Sequence, residues 1–231
     1  MVVGNGLLAS AFSHYENDDQ VIIFASGVSN SKETNEKEFE REELLLKNMS
    51  KDKILIYFST CSVYDPSTQG SQYVRHKMHM ERLIHMYFEN YIVFRLPIIV
   101  GITDNPNTFF NYFKNKIIKG DELTVQILAS RHLIDIEDVK NILTLIIDKE
   151  KQSNESFRKK IDVGFDNEIR VVEIVDMMLD ILEKNNKINI EGHGSNYTYP
   201  IQIFEEYLKE FNYNIRENYT YNLLKKYLLC I

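Results

Sequence analysis

The sequence contains few cysteines and no long hydrophobic segment. Cys61 and Cys230 are the only two cysteines in 231 residues, too few for a disulfide framework, which predicts a reducing, cytoplasmic location. No apolar run approaches the roughly 20 residues that a membrane-spanning helix needs, so we expect no membrane segment. The N-terminal segment ends like a signal peptide, but it lacks a basic start and is interrupted by Gly4 and Gly6, which argues against a leader.

Glycine, proline and positive charge are also scarce. The chain has 9 Gly and 4 Pro, which excludes collagen and is too few for a hinge-rich multidomain chain. Its 34 acidic and 27 basic residues give a net charge of −7, which argues against nucleic-acid binding, because that needs a basic surface. With 44% hydrophobic and 26% charged residues, the composition is typical of a globular protein with a sizeable core.

Short apolar runs alternate with amphipathic segments of helical length. Continuous apolar strands are typical of a sheet buried on both faces, and repeated strand–helix units predict right-handed crossovers and a parallel α/β sheet. We predict strands at residues 1–4, 21–25, 54–58, 91–96 and 161–163, and helices at residues 7–15, 35–49, 74–88, 108–119, 136–149, 171–184, 201–211 and 219–229.

A glycine turn joins the first strand to the first helix. The segment Gly4-Asn5-Gly6-Leu7-Leu8-Ala9 has the spacing G-x-G-x-x-A. In this place backbone N–H groups can approach a pyrophosphate, and the helix N-terminus favours its negative charge. The alternative interpretation is a tight turn that needs only the conformational freedom of glycine.

Hydroxyl-bearing side chains collect where the strand at residues 54–58 ends. The segment Ser59-Thr60-Cys61-Ser62-Val63-Tyr64 lies there, and ligands of open α/β sheets bind at the carboxyl ends of strands. Tyr73 and Lys77 are four residues apart on the next helix and share a face; a lysine lowers the pKa of a nearby phenol, which then exchanges protons near neutral pH. The same spacing occurs twice more in the chain, so it is the preceding strand end that singles out Tyr73.

In their order along the chain, these motifs resemble the extended short-chain dehydrogenase/reductase family, the group of nucleotide-sugar epimerases, dehydratases and ketoreductases. Residues 59–64 are similar to its S-[ST]-x-x-V-Y motif and residues 73–77 to its Y-x-x-x-K motif. The resemblance spreads over nearly the whole chain. Further similar segments are the glycine turn, Phe24-Ala25-Ser26-Gly27, Arg95-Leu96-Pro97-Ile98-Ile99-Val100-Gly101, Arg131-His132-Leu133-Ile134-Asp135-Ile136-Glu137-Asp138-Val139, Ile161-Asp162-Val163-Gly164 and residues 200–213.

The resemblance implies an NAD(P)-dependent enzyme that acts on a nucleotide sugar. It makes Tyr73 the acid/base, Thr60 a hydrogen-bond donor to the substrate oxygen, and Lys77 the residue that lowers the pKa of Tyr73 and holds the nicotinamide ribose. The residues it implies for cofactor binding are Gly4, Asn5, Gly6, Leu7, Leu8, Ala25, Ser26, Gly27, Ser59, Tyr73, Lys77, Leu96 and Pro97. Those for substrate binding are Thr60, Cys61, Ser62, Tyr73 and Arg131, whose guanidinium would reach the substrate pyrophosphate.

The implied fold is a reduced Rossmann-like parallel sheet with helices on both faces and a small, mostly helical C-terminal substrate lobe. Residues 1–101 form the truncated NAD(P)-binding part and residues 102–231 mainly the substrate lobe, with residues 135–165 returning to the first part. Relatives often dimerise through the Y-x-x-x-K helix, so we expect a homodimer. That helix has more apolar residues than one core needs, among them Met78, Leu83, Ile84, Met86 and Tyr87.

The chain departs from the family between its first helix and residue 21. Two strands and a helix that usually hold the adenine ribose are missing there, so the sequence does not separate NAD from NADP. An epimerase keeps its cofactor through the reaction cycle and benefits from a full adenosine clamp. The trimmed chain therefore favours a ketoreductase that exchanges NAD(P)H, with an epimerase using the same triad as the alternative. A non-catalytic Rossmann-like binding or partner protein is the alternative of another class.

Three other chemistries are less favoured. Cys61 and Ser62 stand where 4,6-dehydratases carry Asp-Glu, which disfavours a dehydratase. His76 and His79 are three residues apart on one helix and have no clear third ligand, so we expect no metal site. Cys61 has no base placed beside it in the sequence that could activate it as a nucleophile.

Overall fold

The computed structural model describes residues 1–153 and 156–229; Cys230 lies outside these ranges. The strands are β1 (Val2–Val3), β2 (Val21–Phe24), β3 (Ile54–Thr60), β4 (Tyr91–Leu96), β5 (Ile98–Val100), β6 (Leu123–Gln126), β7 (Ser130–Arg131), β8 (Leu133–Asp135), β9 (Arg158–Asp162), β10 (Ile169–Arg170) and β11 (Ile188–Glu191). The helices are α1 (Leu7–Ala11), α2 (Glu36–Lys47), α3 (Gln72–Tyr87), α4 (Phe109–Lys119), α5 (Ile136–Lys151), α6 (Val171–Ile181), α7 (Gln202–Glu210) and α8 (Tyr219–Leu229).

The main sheet is parallel and has the strand order β1-β2-β3-β4-β9. Side chains alternate across it: Ile22 and Leu55 pack with α2 and α3 on one face, while Ile23 and Ile56 pack with α1 and α5 on the other. Because both faces are covered, the central strands are apolar throughout. The predicted parallel sheet with helices on both faces is therefore confirmed.

The first two crossovers use opposite faces of the sheet. The chain moves in one direction along the sheet from β1 to β2 and from β2 to β3, but α1 packs on the α5 face and α2 on the α3 face. The two connections therefore have opposite hands, and the prediction that every crossover is right-handed is wrong for one of them. The connections that leave β1 and β2 therefore run to opposite faces of the sheet, and doubly wound sheets bind ligands at the carboxyl edge where this happens.

β1 is an edge strand of only two residues. In the part of the chain that the structure describes, no strand pairs with its outer edge. The first helix was predicted to end at residue 15, but α1 ends at Ala11. A 3₁₀ turn at Ser13–Tyr15 then leads into β2. The sheet thus ends where the sequence predicts two missing strands.

The C-terminal part contains more strand than we expected. Besides α4, α6, α7 and α8, it holds the two-stranded pairs β5·β8, β6·β11 and β7·β10. Strands of two to four residues are too short to give a periodic pattern in the sequence. α5 packs against α1, and β9, which begins three residues before the predicted strand, completes the main sheet. Within residues 1–153 and 156–229, no helix is long and apolar enough to cross a membrane.

Candidate active site

The carboxyl edge of the main sheet brings the predicted motifs together. Val3 pairs with Phe24, Phe24 with Tyr57, and Thr60 with Leu96. Because the strands are parallel and in this register, the glycine turn after β1, the segment after β2, the end of β3 and the end of β4 all lie along one edge. The cofactor and catalytic residues that the resemblance implies are therefore close in space.

The two glycines of the first turn have different surroundings. Gly4 has φ +126°, and a Cβ there would lie 2.6 Å from the carbonyl oxygen of Ala25, so only glycine fits. At Gly6, which begins α1 without a side-chain cap, a Cβ would meet no atom within 4 Å. The open space at Gly6 beside free backbone N–H groups fits a diphosphate.

Tyr73 lies in the first turn of α3. The Ser71 hydroxyl caps the helix by accepting a hydrogen bond from the Val74 N–H at 3.2 Å, and this start turns Tyr73 and Lys77 toward the sheet, where both are buried. Burial raises the pKa of Tyr73, whereas the Lys77 charge and a hydrogen bond from Thr60 lower it. The three predicted catalytic side chains therefore share one environment at the end of β3.

The net pKa shift of Tyr73 is upward: the Lys77 charge lowers the pKa, as expected, but burial outweighs it. The expectation that Tyr73 exchanges its proton near neutral pH is therefore wrong. Burial is the largest effect because it disfavours the phenolate, and the negative charge of Glu42 raises the pKa further. In the free protein Tyr73 is held as a protonated phenol, a proton donor.

Glu42 is a site residue that the sequence analysis missed. It lies on α2 and is fully buried. The Tyr57 hydroxyl donates to its Oε1 at 2.6 Å, and the Val28 N–H donates to its Oε2 at 2.7 Å. Burial would raise the pKa of Glu42, but Lys77, His76, Tyr57 and Val28 outweigh it and lower the pKa to about 2. Glu42 is therefore a buried carboxylate, not a neutral acid.

The spacing along α2 contains the signal that could have found Glu42. Phe39, Glu42 and Leu46 are separated by three and four residues, so they lie on one stripe of the helix. Phe39 and Leu46 pack into the core. A carboxylate between two core positions needs hydrogen-bond or ionic partners. Because α2 contains many other charged residues, Glu42 did not stand out in the sequence.

Lys77 is bound by the protein. Its Nζ donates to Glu42 Oε1 at 3.2 Å, to the Tyr57 hydroxyl at 3.1 Å and to the Phe58 carbonyl oxygen at 3.4 Å. A Cβ on Gly27 would lie 2.6 Å from this ammonium nitrogen. Gly27 therefore leaves the space that Lys77 occupies, and the Lys77 ammonium is directed at protein acceptors.

A second polar network lies under the ends of β3, β4 and β9. Arg95 donates to both carboxylate oxygens of Glu81, at 2.9 and 2.8 Å, and to the Tyr64 hydroxyl at 2.8 Å. Ser59 Oγ donates to Glu81 at 2.7 Å, and Tyr64 donates to Asp162 at 3.0 Å. The network fixes the strand ends beneath Thr60. Ser59, implied as a cofactor residue, has its hydroxyl bound to this network.

The residues predicted to bind substrate lie in two regions, at the end of β3 and in a separate cleft around Arg131. Cys61 is buried, its thiol donates to the Arg95 carbonyl oxygen at 3.3 Å, and burial raises its pKa well above the ordinary value. The thiol is therefore neither exposed nor a thiolate. Ser62 lies beside Thr60, its N–H donating to Thr60 Oγ1 at 3.1 Å. The substrate roles of Cys61 and Ser62 stay predictions.

Arg131 lies in a separate open cleft of about 320 Å³, which Lys32 and Tyr112 also line. Neither Thr60 nor Tyr73 lines this cleft. Burial raises the pKa of Tyr197 to about 12, and the Arg131 charge and a hydrogen bond with Ser62 act in the opposite direction.

Two of the three histidines of α3, His76 and His79, bind carboxylates. His76 Nε2 lies 2.9 Å from Glu42 Oε2, and His79 Nε2 lies 3.0 Å from Glu43 Oε2. The two rings are committed to different partners. Within residues 1–153 and 156–229, no group of His, Cys, Asp and Glu has a metal-binding arrangement.

Comparison with known proteins identifies the class. Residues 5–162 match the NAD dependent epimerase/dehydratase family. This segment is more than half of the chain, so the chain belongs to that family and is an NAD-dependent enzyme of the short-chain dehydrogenase/reductase type. No curated protein sequence matches it.

Solved structures show the same fold at low sequence identity. dTDP-glucose 4,6-dehydratase from Bacillus anthracis, in complex with NAD, is 17% identical with a TM-score of 0.66 over 98% of this chain and 78% of that chain. UDP-glucose-4-epimerase from Stenotrophomonas maltophila, with bound NAD and formylated UDP-arabinopyranose, is 13% identical with a TM-score of 0.70 over 98% and 82%. UDP-N-acetylglucosamine 4-epimerase from Methanobrevibacter ruminantium, in complex with UDP-N-acetylmuramic acid, is 14% identical with a TM-score of 0.65 over 98% and 81%.

The residues present fit the family's cofactor at one end of the site. The open space at Gly6 fits the diphosphate. β1, the strand before this glycine turn, is an edge strand of the main sheet. The cofactor is NAD(P), and the structure leaves the choice between NAD and NADP open.

Proposed function

We propose that the protein is an NAD(P)H-dependent ketoreductase that acts on a nucleoside-diphosphate keto-sugar. The observation that carries this proposal is Tyr73, a buried phenol with its pKa raised beside Thr60 at the carboxyl end of β3. Reduction of a carbonyl needs a proton donor, and a protonated phenol is one. Oxidation of an alcohol, with which an epimerase begins, needs a proton acceptor there.

The residues have separate tasks in the reduction. When bound, the nicotinamide would supply the hydride for the carbonyl carbon. Thr60 Oγ1 donates a hydrogen bond to the carbonyl oxygen, and the Tyr73 hydroxyl transfers its proton to that oxygen. Lys77 stabilises the phenolate left on Tyr73 through its positive charge. Solvent then returns a proton to Tyr73.

The cleft around Arg131 supports a nucleotide sugar as substrate. Lys32 and Arg131 provide two cationic groups, and Tyr112 and Phe109 provide aromatic rings in the same cleft. A guanidinium binds a diphosphate through paired hydrogen bonds, and an aromatic ring stacks with a base. Arg131 and Ser62 both act on the pKa of Tyr197, which supports one extended ligand that contacts both places.

The second candidate is a nucleotide-sugar epimerase with the same triad. The family description favours it, and two of the structures above are epimerases. Epimerisation leaves the nicotinamide unchanged over a full cycle. An epimerase therefore turns over without added NAD(P)H, whereas the ketoreductase consumes one equivalent per product.

The decisive experiment begins with calorimetric titration of NADH and NADPH into the purified protein. Binding of one of them, followed by its oxidation with a nucleoside-diphosphate keto-sugar, supports the ketoreductase. Interconversion of two nucleotide sugars with retained NAD⁺ supports the epimerase. Binding of neither nucleotide, in protein free of retained nucleotide, contradicts both and favours a binding or partner protein.

We also propose that the protein is a cytoplasmic homodimer that assembles through α3. Met78, Met86 and Tyr87 are exposed on α3 and are available for a second copy, whereas Leu83 and Ile84 are buried in the core. Sedimentation of the wild-type protein should show a dimer, and Met86→Glu should produce a monomer. A monomeric wild-type protein contradicts the proposal.

A further inference from the structure

Lys77 has no hydrogen-bond donor left for a ligand. An ammonium carries three N–H donors, and Nζ has three protein acceptors within 3.4 Å: Glu42 Oε1, the Tyr57 hydroxyl and the Phe58 carbonyl oxygen. The Lys77 side chain is only 4% exposed. A ribose hydroxyl would have to displace one of these partners and enter a closed space.

Glu42 is bound as completely as Lys77. Oε1 accepts from Tyr57 at 2.6 Å and from Lys77 at 3.2 Å, and Oε2 accepts from the Val28 N–H at 2.7 Å and from His76 Nε2 at 2.9 Å. These donors come from β3, from α3 and from the loop after β2. The carboxylate therefore joins three elements around the lysine.

We propose that Glu42 is a positioning residue, which holds the Lys77 ammonium in an ion pair inside the protein. Lys77 then acts on Tyr73 through its charge and does not bind the nicotinamide ribose. The ion pair stands on geometry alone, whereas its effect on catalysis rests on the proposed function.

The groups that face the Glu42–Lys77 pair determine how the loss of the Glu42 carboxylate changes the protonation of Tyr73. Lys77 and His76 face Glu42 from α3, Tyr57 faces it from β3, and the Val28 N–H faces it from the loop after β2. The pKa of Tyr73 is lowered by the Lys77 charge and raised by Glu42 and by the nearby Cys61. Without the Glu42 carboxylate, the Lys77 charge is uncompensated and favours the Tyr73 phenolate.

The first test is a double-mutant cycle in thermal unfolding. Glu42→Gln and Lys77→Met each break the pair and should lower Tm by roughly 10 °C, because each leaves a buried charge without its partner. The combined Glu42→Gln/Lys77→Met variant should lose clearly less than the two single losses added together. Additive losses overturn the ion pair. Glu43→Gln, one residue along α2 and partly exposed, is the control and should leave Tm near the wild-type value.

The second test measures nucleotide affinity by calorimetry. The Glu42→Gln/Lys77→Met protein should bind NADH or NADPH within about threefold of the wild-type Kd, because Lys77 gives the ribose no hydrogen bond. A tenfold or larger weakening overturns the proposal. If the wild-type protein binds neither nucleotide, the proposed function fails, and the thermal cycle and the third test still decide the role of Glu42.

The third test separates positioning from a purely structural role. Tyrosinate absorbance is followed against pH for wild-type and Glu42→Gln proteins, and the matching Tyr73→Phe variant of each is subtracted to isolate Tyr73. Glu42→Gln should move the Tyr73 midpoint to lower pH, and Glu43→Gln should not. An unchanged midpoint in Glu42→Gln overturns the positioning role.

Discussion

The two ends of the carboxyl edge differ in how closely they are packed. At the β3–α3 end, Glu42, Tyr57 and Lys77 are buried and bonded to one another. At the β1 end, a two-residue edge strand leads into a five-residue helix, and Gly6 faces open space. Under the proposed function, the packed end places the reacting groups, and the open end offers few contacts to the cofactor. The comparison therefore predicts that changes at the two ends affect turnover and cofactor affinity separately.

The largest effect is expected at the tightly packed end. Tyr73→Phe removes the proton donor but keeps the ring, so kcat should fall by about 10³-fold while the Kd for NAD(P)H stays nearly unchanged. Steady-state kinetics and calorimetry on the same preparation check this. Tyr221→Phe, which removes an exposed hydroxyl from another Tyr–Lys pair, is the control. Equal turnover by the Tyr73→Phe protein would remove the catalytic role.

Acid titration probes the same end through stability. The pKa of Glu42 is lowered from 4.5 to about 2, so its ionised form stabilises the fold above the unfolded-state pKa. This stabilisation is lost as pH falls toward the folded-state pKa, and it amounts to about 3 kcal/mol. Urea unfolding between about pH 5 and about pH 2 should therefore show a steeper loss for wild type than for Glu42→Gln. Parallel pH curves for the two proteins would contradict it.

The glycine turn tests the loosely packed end. Gly4→Ala should destabilise the protein by about 1–3 kcal/mol, because the new Cβ would lie 2.6 Å from the Ala25 carbonyl oxygen at a positive φ. Gly6→Ala should change the free energy of unfolding by less than about 0.5 kcal/mol but weaken NAD(P)H binding about tenfold, because its methyl fills the diphosphate space. Unfolding curves and calorimetry on both variants measure this. Wild-type affinity in Gly6→Ala would mean that the diphosphate binds elsewhere.

A smaller effect than that of Tyr73→Phe is expected in the cleft away from Tyr73. Arg131→Met should raise KM for the nucleotide sugar by about 10- to 100-fold, the value of a charge-assisted hydrogen bond, and should change kcat less. Arg170→Met, which removes an exposed arginine paired with Glu173, is the matched control in the same assay. A fall in kcat without a change in KM would place Arg131 at the reacting centre instead.

The sequence predicted the parts of the site that follow from strand ends and motif spacing. Thr60, Tyr73 and Lys77 share one environment because a strand end and the first turn of a helix bring them there. The direction of the Tyr73 pKa shift was not predictable, since it depends on burial and on Glu42, which is 31 residues away along the chain. The short strand pairs of the C-terminal part were also missed, because their stability comes from pairing with distant residues.

The Lys77 ammonium lies where a side chain at position 27 would be, and this limits the substitutions that the two positions can accept. The end of the lysine side chain fills the space of a side chain at position 27. A larger residue at position 27 therefore requires a shorter residue at position 77. Because Glu42 would then lose its ion-pair partner, a neutral residue would be needed at position 42. Positions 27, 42 and 77 should vary together among homologous sequences, and an exchange at one of them alone should be rare.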